Sequence, residues 1–250
     1  MTAPVEVAPA VPAMTDPKYY DVVEATWPCL RKDRLGPITL RVGGGGGSRV
    51  SAATAEAALS DAQIAEAETA MVALNQPRLF MVRDGQDELD AQLDRLGYEV
   101  MDPVVLWTCP PTVLTDVEIP RVTTFCTWPP LAIQREIWQA GGIGPERQAI
   151  MERAEVAKTS LLGRWNDKPA GTAYVAIHAD VAMLHALEIL SHQRRKGMGV
   201  WLMRQAARWA EAEGARELVV LCTRANTGAN ALYARLGMTQ AGGYHYRIKR

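Results

Sequence analysis

The sequence predicts an α+β protein built on a mixed sheet, with a smaller α/β lobe preceding a larger unit, and three observations predict it. Short apolar runs of strand length alternate with amphipathic stretches of helical period along nearly the whole chain. An apolar strand, Leu187 to Leu190, runs through a glycine-bearing turn into an amphipathic helix. The chain has 250 residues, above the roughly 100–150 of the commonest domain size, so two units are expected. Composition excludes several classes: the formal net charge is −1, 48% of residues are hydrophobic and 22% charged, which fits neither a disordered nor a collagen-like chain. With 27 basic against 28 acidic residues there is no global field for nucleic acid or an anionic membrane. No apolar run reaches the ~18–20 residues of a membrane span, and no basic-then-apolar leader opens the chain; a cytoplasmic, soluble protein is expected.

Residues 1–16, MTAPVEVAPAVPAMTD, are rich in Pro, Ala and Val and read as a flexible tail, with Met14 a candidate natural start. A helix is expected over Tyr19 to Trp27. Two short strands, Pro37 to Val42 and Arg49 to Ala53, are expected around the run Gly43 to Gly47. A helix over Ala55 to Leu74 follows. Leu79 to Arg83 reads as a strand, Glu88 to Leu96 as a helix closed by Gly97, and Glu99 to Thr108 as a strand. Cys109, Pro110 and Pro111 break the pattern and mark the boundary between an N-terminal lobe, 17–112, and a second domain, 116–250.

Beyond the boundary, strands are expected at Val122 to Thr127, Thr159 to Trp165, Gly171 to His178, Val181 to Leu190 and Arg216 to Cys222, with a hairpin turn at Asn166 to Lys168. Helices are expected at Leu131 to Ala140, Pro145 to Ala154, Met198 to Glu213 and Thr227 to Leu236, before a short terminal strand. In the helix from Met198, Leu202, Ala206 and Trp209 make the inward stripe and Arg204, Arg208 and Glu211 face out. Cys29, Cys109, Cys126 and Cys222 form neither a CxxC pair nor a ligand cluster and read as free thiols. His178, His185 and His192 recur every seven residues but span different elements, so no metal site is expected.

The chemistry concentrates at Arg194-Arg195-Lys196-Gly197-Met198-Gly199. Glycines let the backbone approach a ligand, amides at the helix start attract an anion, and three basic side chains add charge. That geometry suits a pyrophosphate. Arg194, Gly197 and Gly199 match the Gln/Arg-x-x-Gly-x-Gly/Ala signature, and the strand VVLCT, Asn226 and the run Ala231 to Met238 follow at the expected distance. Together these resemble the GNAT acetyltransferase superfamily over about 159–241, a resemblance that extends back to Val122.

The resemblance implies acetyl-CoA as co-substrate, Ile189 beside the acyl-pantetheine arm, and pyrophosphate held by the amides of Arg194, Arg195, Lys196, Gly197, Met198, Gly199 and Val200. It also implies that Asn226 approaches the cofactor and that Tyr233 protonates the departing thiolate. A phenol of pKa about 10 is protonated at neutral pH and can serve; a packed core tyrosine is the alternative. The acceptor amine must lose a proton, and His185 and Glu188 are the candidate bases on the preceding strand. Strict alternation puts Met183, His185, Leu187 and Ile189 on one face and Leu184, Ala186 and Glu188 on the other, so both bases reach one cleft only if a bulge intervenes. His185 ranks first, by its place in the resemblance. The segment 128–158, with Trp128 and Trp138, is expected to wall the acceptor site.

Rival readings weigh less. The run Gly43 to Gly47 ends Gly-Ser-Arg and lacks the lysine of a phosphate loop, so a flexible hairpin is favoured. Cys222, closing an apolar strand, reads as buried and inert rather than as an acyl carrier. In the first half, Leu89 to Tyr98 parallels Ala229 to Met238, with Leu93 opposite Tyr233, as in tandem GNAT proteins with an inactive first domain; chance similarity of two glycine-capped helices is the alternative. The expectation is therefore an acetyl-CoA-dependent N-acetyltransferase working by direct transfer to a primary amine of a small molecule or peptide, with no nucleic-acid or membrane partner. The competing class is a non-catalytic acyl-CoA-binding or regulatory module. The residues name neither the acceptor nor an oligomeric state.

Overall fold

The computed structural model describes residues 14–250; residues 1–13, most of the expected tail, lie outside the described residues. The rest of that tail is tied down. Thr15 is buried, and its hydroxyl bonds Asp84 and accepts from the Gly243 amide at 2.7 Å.

The first half runs α1 (Lys18–Thr26), β1 (Arg31–Leu35), β2 (Ile38–Val42), α2 (Ser48–Ser51), β3 (Thr54–Ala55), α3 (Asp61–Ala73), β4 (Arg78–Arg83), α4 (Asp87–Arg95) and β5 (Glu99–Cys109). The second runs β6 (Thr124–Thr127), α5 (Ala132–Ala140), α6 (Pro145–Arg153), β7 (Lys158–Trp165), β8 (Lys168–His178), β9 (Val181–Ile189), α7 (Met198–Ala212), β10 (Glu217–Thr223), α8 (Thr227–Arg235) and β11 (Thr239–Lys249).

Eight strands form one sheet in the order β4-β11-β5-β10-β9-β8-β7-β6. All neighbours are antiparallel except β9 and β10, which run parallel. The sheet thus draws strands from both sides of the Cys109–Pro111 break, and β5 of the first half sits between β10 and β11 of the second. A smaller sheet, β1-β2-β3, abuts it through a parallel bridge from Ala53 to Phe80.

On one face of the large sheet α7 buries Met198, Leu202, Met203, Ala206, Ala207 and Ala210 against Leu161, Ala173, Val175 and Leu184. Each large side chain so buried stabilises the fold by roughly 1.5–3 kcal/mol before entropy is counted. On the other face lie α1, with Tyr19, Val22 and Val23 against Met183 and Val219, and a cluster that joins Trp27 and Val50 to Trp138, Ile150 and Tyr174. The first half adds its own core, α3 and α4 over β2 and β4, built from Ile38, Ile64, Met71, Phe80 and Leu93.

Several expectations are corrected. Arg49 to Ala53 is no strand: Ser48–Ser51 is a short helix, and the β1–β2 hairpin turns at Gly36 instead of the glycine run. The run is a tight connection, since a Cβ on Gly46 would come within 2.5 Å of Ile150, and Gly44, Gly45 and Gly47 all take positive φ. Helix α3 begins at Asp61 rather than at Ala55 because Ser60 and Gln63 close a reciprocal capping box there. Arg204 and Arg208 do not simply face solvent; they bond the carbonyls of Leu114 and Val117 and pin the connection after β5. The terminal strand is not short: β11 has 11 residues and lies inside the sheet.

Candidate functional site

The cleft arises where β9 and β10, the parallel neighbours of the large sheet, part. β9 and β10 are in register from Val181/Glu217 to Leu184/Val220, and beyond that both strands continue without pairing. The edge amides of β9 that face this gap have no sheet partner. Here β9 carries a bulge: its register on β8 shifts between Tyr174/His185 and Thr172/Glu188, with Ala186 at φ 51°. One extra residue re-phases every following side chain. Leu187 and Ile189 therefore pack with Leu184 on the α7 side, while His185 and Glu188 share the opposite face. Strict alternation had separated the two; the bulge brings them together. Its carbonyl is satisfied by Trp138, whose Nε1 donates to Ala186 O at 2.8 Å.

At the far side of the cleft α7 starts on Gly197, in the left-handed region at φ 83°. No side chain caps it. The first intrahelical bonds are those of Val200 and Trp201 to the Gly197 carbonyl, so the Met198 and Gly199 amides precede the hydrogen-bond ladder and can serve an anion. Arg195 and Lys196 are exposed beside them. A Cβ on Gly199 would approach Leu232 at 3.1 Å, so glycine also lets α7 meet α8 closely. Arg194 folds back: its guanidinium bonds Glu188 at 3.1 Å and the Ile189 carbonyl at 3.1 Å.

These parts line one cavity of about 1030 Å³, which holds His185, Glu188, Ile189, Arg194, Arg195, Gly197, Met198, Gly199, Val200, Asn226 and Tyr233; Lys196 lies outside its lining. The Asn226 oxygen caps α8 by accepting from Ala229 N at 3.1 Å, leaving its amide hydrogens for the cleft. Tyr233 is 3% exposed and its hydroxyl makes no hydrogen bond among the described residues; burial, with Cys222 nearby, pushes its pKa well above the usual phenol value. Burial also pushes the Cys222 thiol up to about 11, so it is protonated at neutral pH, and the thiol lies 3.3 Å from Asn230 Oδ1.

The two candidate bases differ. His185 is 4% exposed, stacked on Trp27 with ring centroids 5.0 Å apart, and both its nitrogens are engaged. Arg49 Nη1 lies 3.1 Å from Nδ1 and can only donate, so Nδ1 accepts. The ring proton is then on Nε2, 2.9 Å from Thr26 Oγ1, whose own hydrogen goes to the Val22 carbonyl. Burial and the adjacent guanidinium hold the imidazole pKa well below its ordinary value. Glu188 is half-buried and ion-paired with Arg194, and it lies over Gly141 at the end of α5, where a Cβ would come within 2.5 Å of its carboxyl carbon.

The segment 128–158, expected to wall an acceptor site, lines only part of the space beside the cleft. Ile143 and Arg147 contribute to a second pocket, of about 190 Å³, that meets the cleft at the bulge, but most of its lining comes from elsewhere, including Trp27, Arg49, Asp102, Tyr244 and Tyr246. Sequence reasoning missed these residues. Arg49 stands on a segment misassigned as strand, and nothing local marks it as belonging to a site more than a hundred residues away.

With this geometry in view, comparison with known proteins assigns the class. Residues 125–238 match the acetyltransferase (GNAT) family. Over 237 residues it is 27% identical to an uncharacterised N-acetyltransferase, YobR, of Bacillus subtilis (strain 168), covering 90% of this chain and 95% of that protein. In fold it is similar to a GCN5-related N-acetyltransferase from Kribbella flavida, with TM-score 0.71, 20% identity and 93% and 94% of the two chains covered. It is also similar to a tandem GNAT protein from the clavulanic acid biosynthesis pathway, with TM-score 0.62, 12% identity and 96% and 90% covered. Among the described residues no helix is long and apolar enough to cross a membrane.

Proposed function

We propose that the chain transfers the acetyl group of acetyl-CoA directly to a primary amine of a small molecule or peptide, with both substrates bound together. The carrying observation is that one cavity joins an uncapped, glycine-started helix flanked by basic residues to the parted edges of β9 and β10, with an unengaged phenol between them. The α7 start, from Arg194 to Val200, would hold the pyrophosphate, and the edge near Ile189 would bond the pantetheine arm and polarise the thioester carbonyl. Asn226 would bond the same arm through its free amide hydrogens.

As the amine nitrogen bonds the carbonyl carbon and the C–S bond breaks, Tyr233 donates its proton to the sulfur. The amine's surplus proton leaves through Glu188 or water. His185, with both nitrogens engaged, is better suited to positioning Arg49 than to accepting that proton. Residues 116–250 form the transferase domain in this reading, and 17–112 a degenerate partner lobe joined to it through the shared sheet. A cytoplasmic setting fits the four free thiols among the described residues.

The test is a CoA-release screen over amines, amino acids and peptides, repeated with Tyr233→Phe. CoA release with at least one acceptor is expected, with kcat lowered about 10²-fold or more in the variant and acetyl-CoA affinity unchanged. Because burial raises the Tyr233 pKa, the acid stays protonated past its usual value of about 10. Any loss of kcat through its ionisation therefore falls above pH 10. Acetyl-CoA binding without turnover on any acceptor would instead support the non-catalytic module.

A further inference from the structure

The second pocket contains a guanidinium with no carboxylate to serve. Neighbouring Arg41 and Arg83 both pair with Glu24, whereas Arg49, among the described residues, has no carboxylate within ion-pair distance. Its contacts are a neutral imidazole and a phenol: Nη1 faces His185 Nδ1 at 3.1 Å and Nε faces Tyr244 Oη at 3.4 Å, with the Trp27 ring 5.9 Å from Cζ. Its Nη2 makes no hydrogen bond among the described residues. Guanidinium does not lose its proton in proteins, so this charge persists at the pocket wall.

A second donor points the same way. Tyr244 Oη accepts from Arg49 and, at 3.5 Å, from the Tyr246 hydroxyl, and its own hydrogen has no acceptor among the described residues. Arg147, also without an ion-pair partner among the described residues, lines the same pocket. Asp102, with φ 45°, is the one acidic residue in the lining. Two guanidinium groups against one carboxylate leave the pocket cationic. At about 190 Å³ it falls below the roughly 300–1,000 Å³ of drug-sized sites. It meets the cleft at Ala186 and His185, which a small molecule can span.

We infer that the acceptor is a small amine bearing a carboxylate, amino-acid-like in form, and that Arg49 Nη2 and the Tyr244 hydroxyl bind that carboxylate while the amine reaches toward the bulge of β9. His185 and Trp27 hold the guanidinium in place. The inference rests on the transferase reading for the direction of the amine, but the anion site itself stands on the pocket.

The experiment compares matched acceptors in the CoA-release assay with the full chain: amino acids, the corresponding amino-acid amides, the decarboxylated amines, and dipeptides. Thermal-shift titration with the same compounds runs beside it. Wild type is expected to favour carboxylate-bearing members at least tenfold in kcat/KM, and Arg49→Gln to lower kcat/KM for them about 30-fold or more while changing the amines less than twofold. Arg49→Lys retains part of the preference, and Arg147→Gln, at an exposed position, guards against misfolding by giving a smaller shift of the same sign. Free amino acids and dipeptides as separate arms tell which source of carboxylate is used. Equal use of all members, preference for the amines, equal loss on both in Arg49→Gln, or no carboxylate-dependent binding overturns the inference. Turnover of amines alone leaves the transferase standing without it; carboxylate-dependent binding without turnover on any acceptor upholds the anion site and removes the transferase.

Discussion

Two regions of the molecule share one plan and differ in one place. In the first half, Ala53 bridges in parallel to β4, helix α3 connects them, and α4 then leads through Gly97 into β5. In the second half, β9 runs parallel to β10, α7 connects them, and α8 leads through Gly237 into β11. Both glycines take positive φ, at 83° and 79°, and both turns make the same bond pair: Gly97 and Tyr98 to the carbonyls of Asp94 and Leu93, and Gly237 and Met238 to those of Ala234 and Tyr233. The difference lies at the start of the connecting helix. At the start of α3 the Ser60 and Gln63 amides are taken up by a reciprocal capping box, and Asp61 beside them pairs with Arg95 of α4. The α7 start has no side-chain cap, no acid in its first turn, and Arg195 and Lys196 next to it. One helix start is capped and carries an acid, and the other is uncapped beside two basic residues. Likewise Leu93 is fully buried where Tyr233 brings a hydroxyl to the cleft.

The largest effect expected from breaking this pairing is loss of the fold itself. A fragment spanning 113–250 lacks β5, which pairs β10 on one side and β11 on the other; circular dichroism and amide-proton dispersion should show no cooperative native state, and a folded, active fragment would show that the two halves are independent. Next, Leu93→Ala should destabilise the protein by about 2–5 kcal/mol in urea unfolding without touching acetyl-CoA affinity. The corresponding residue Tyr233, changed to Phe, should do the reverse, losing rate and keeping stability. Smallest is Ser60→Ala, which removes a cap and should cost about 1 kcal/mol. It should create no acetyl-CoA binding by calorimetry, because Asp61 still repels phosphate; new binding would mean that the cap alone closes the first-half site.

The resemblance between the halves was legible because it is local. Glycine after a helix and an apolar period act over a few residues, so Leu89 to Tyr98 and Ala229 to Met238 carry a common pattern in the sequence. The Arg194 to Gly199 turn was legible for the same reason: strand, glycine turn and helix start are contiguous. The relation of His185 to Glu188 was only half legible. Alternation is a local rule, but the bulge at Ala186 depends on how β9 meets β8 on one side and on Trp138 reaching its carbonyl. Engagement of both His185 nitrogens depends on Thr26 and Arg49, which lie 159 and 136 residues away.

By itself, then, the sequence determined the α+β class, nearly all of the helices and strands, and the basic, glycine-bearing turn at 194–199 with Tyr233 downstream, since each follows from short-range sterics, capping and hydrophobic period. Only the tertiary structure decided that β5 lies between β10 and β11, that the bulge turns two candidate bases to one face, and that Arg49 of the first half reaches the second half's cleft with no carboxylate partner among the described residues. Those outcomes depend on strand order and on contacts between distant segments, where burial and backbone pairing across the whole sheet override any local preference.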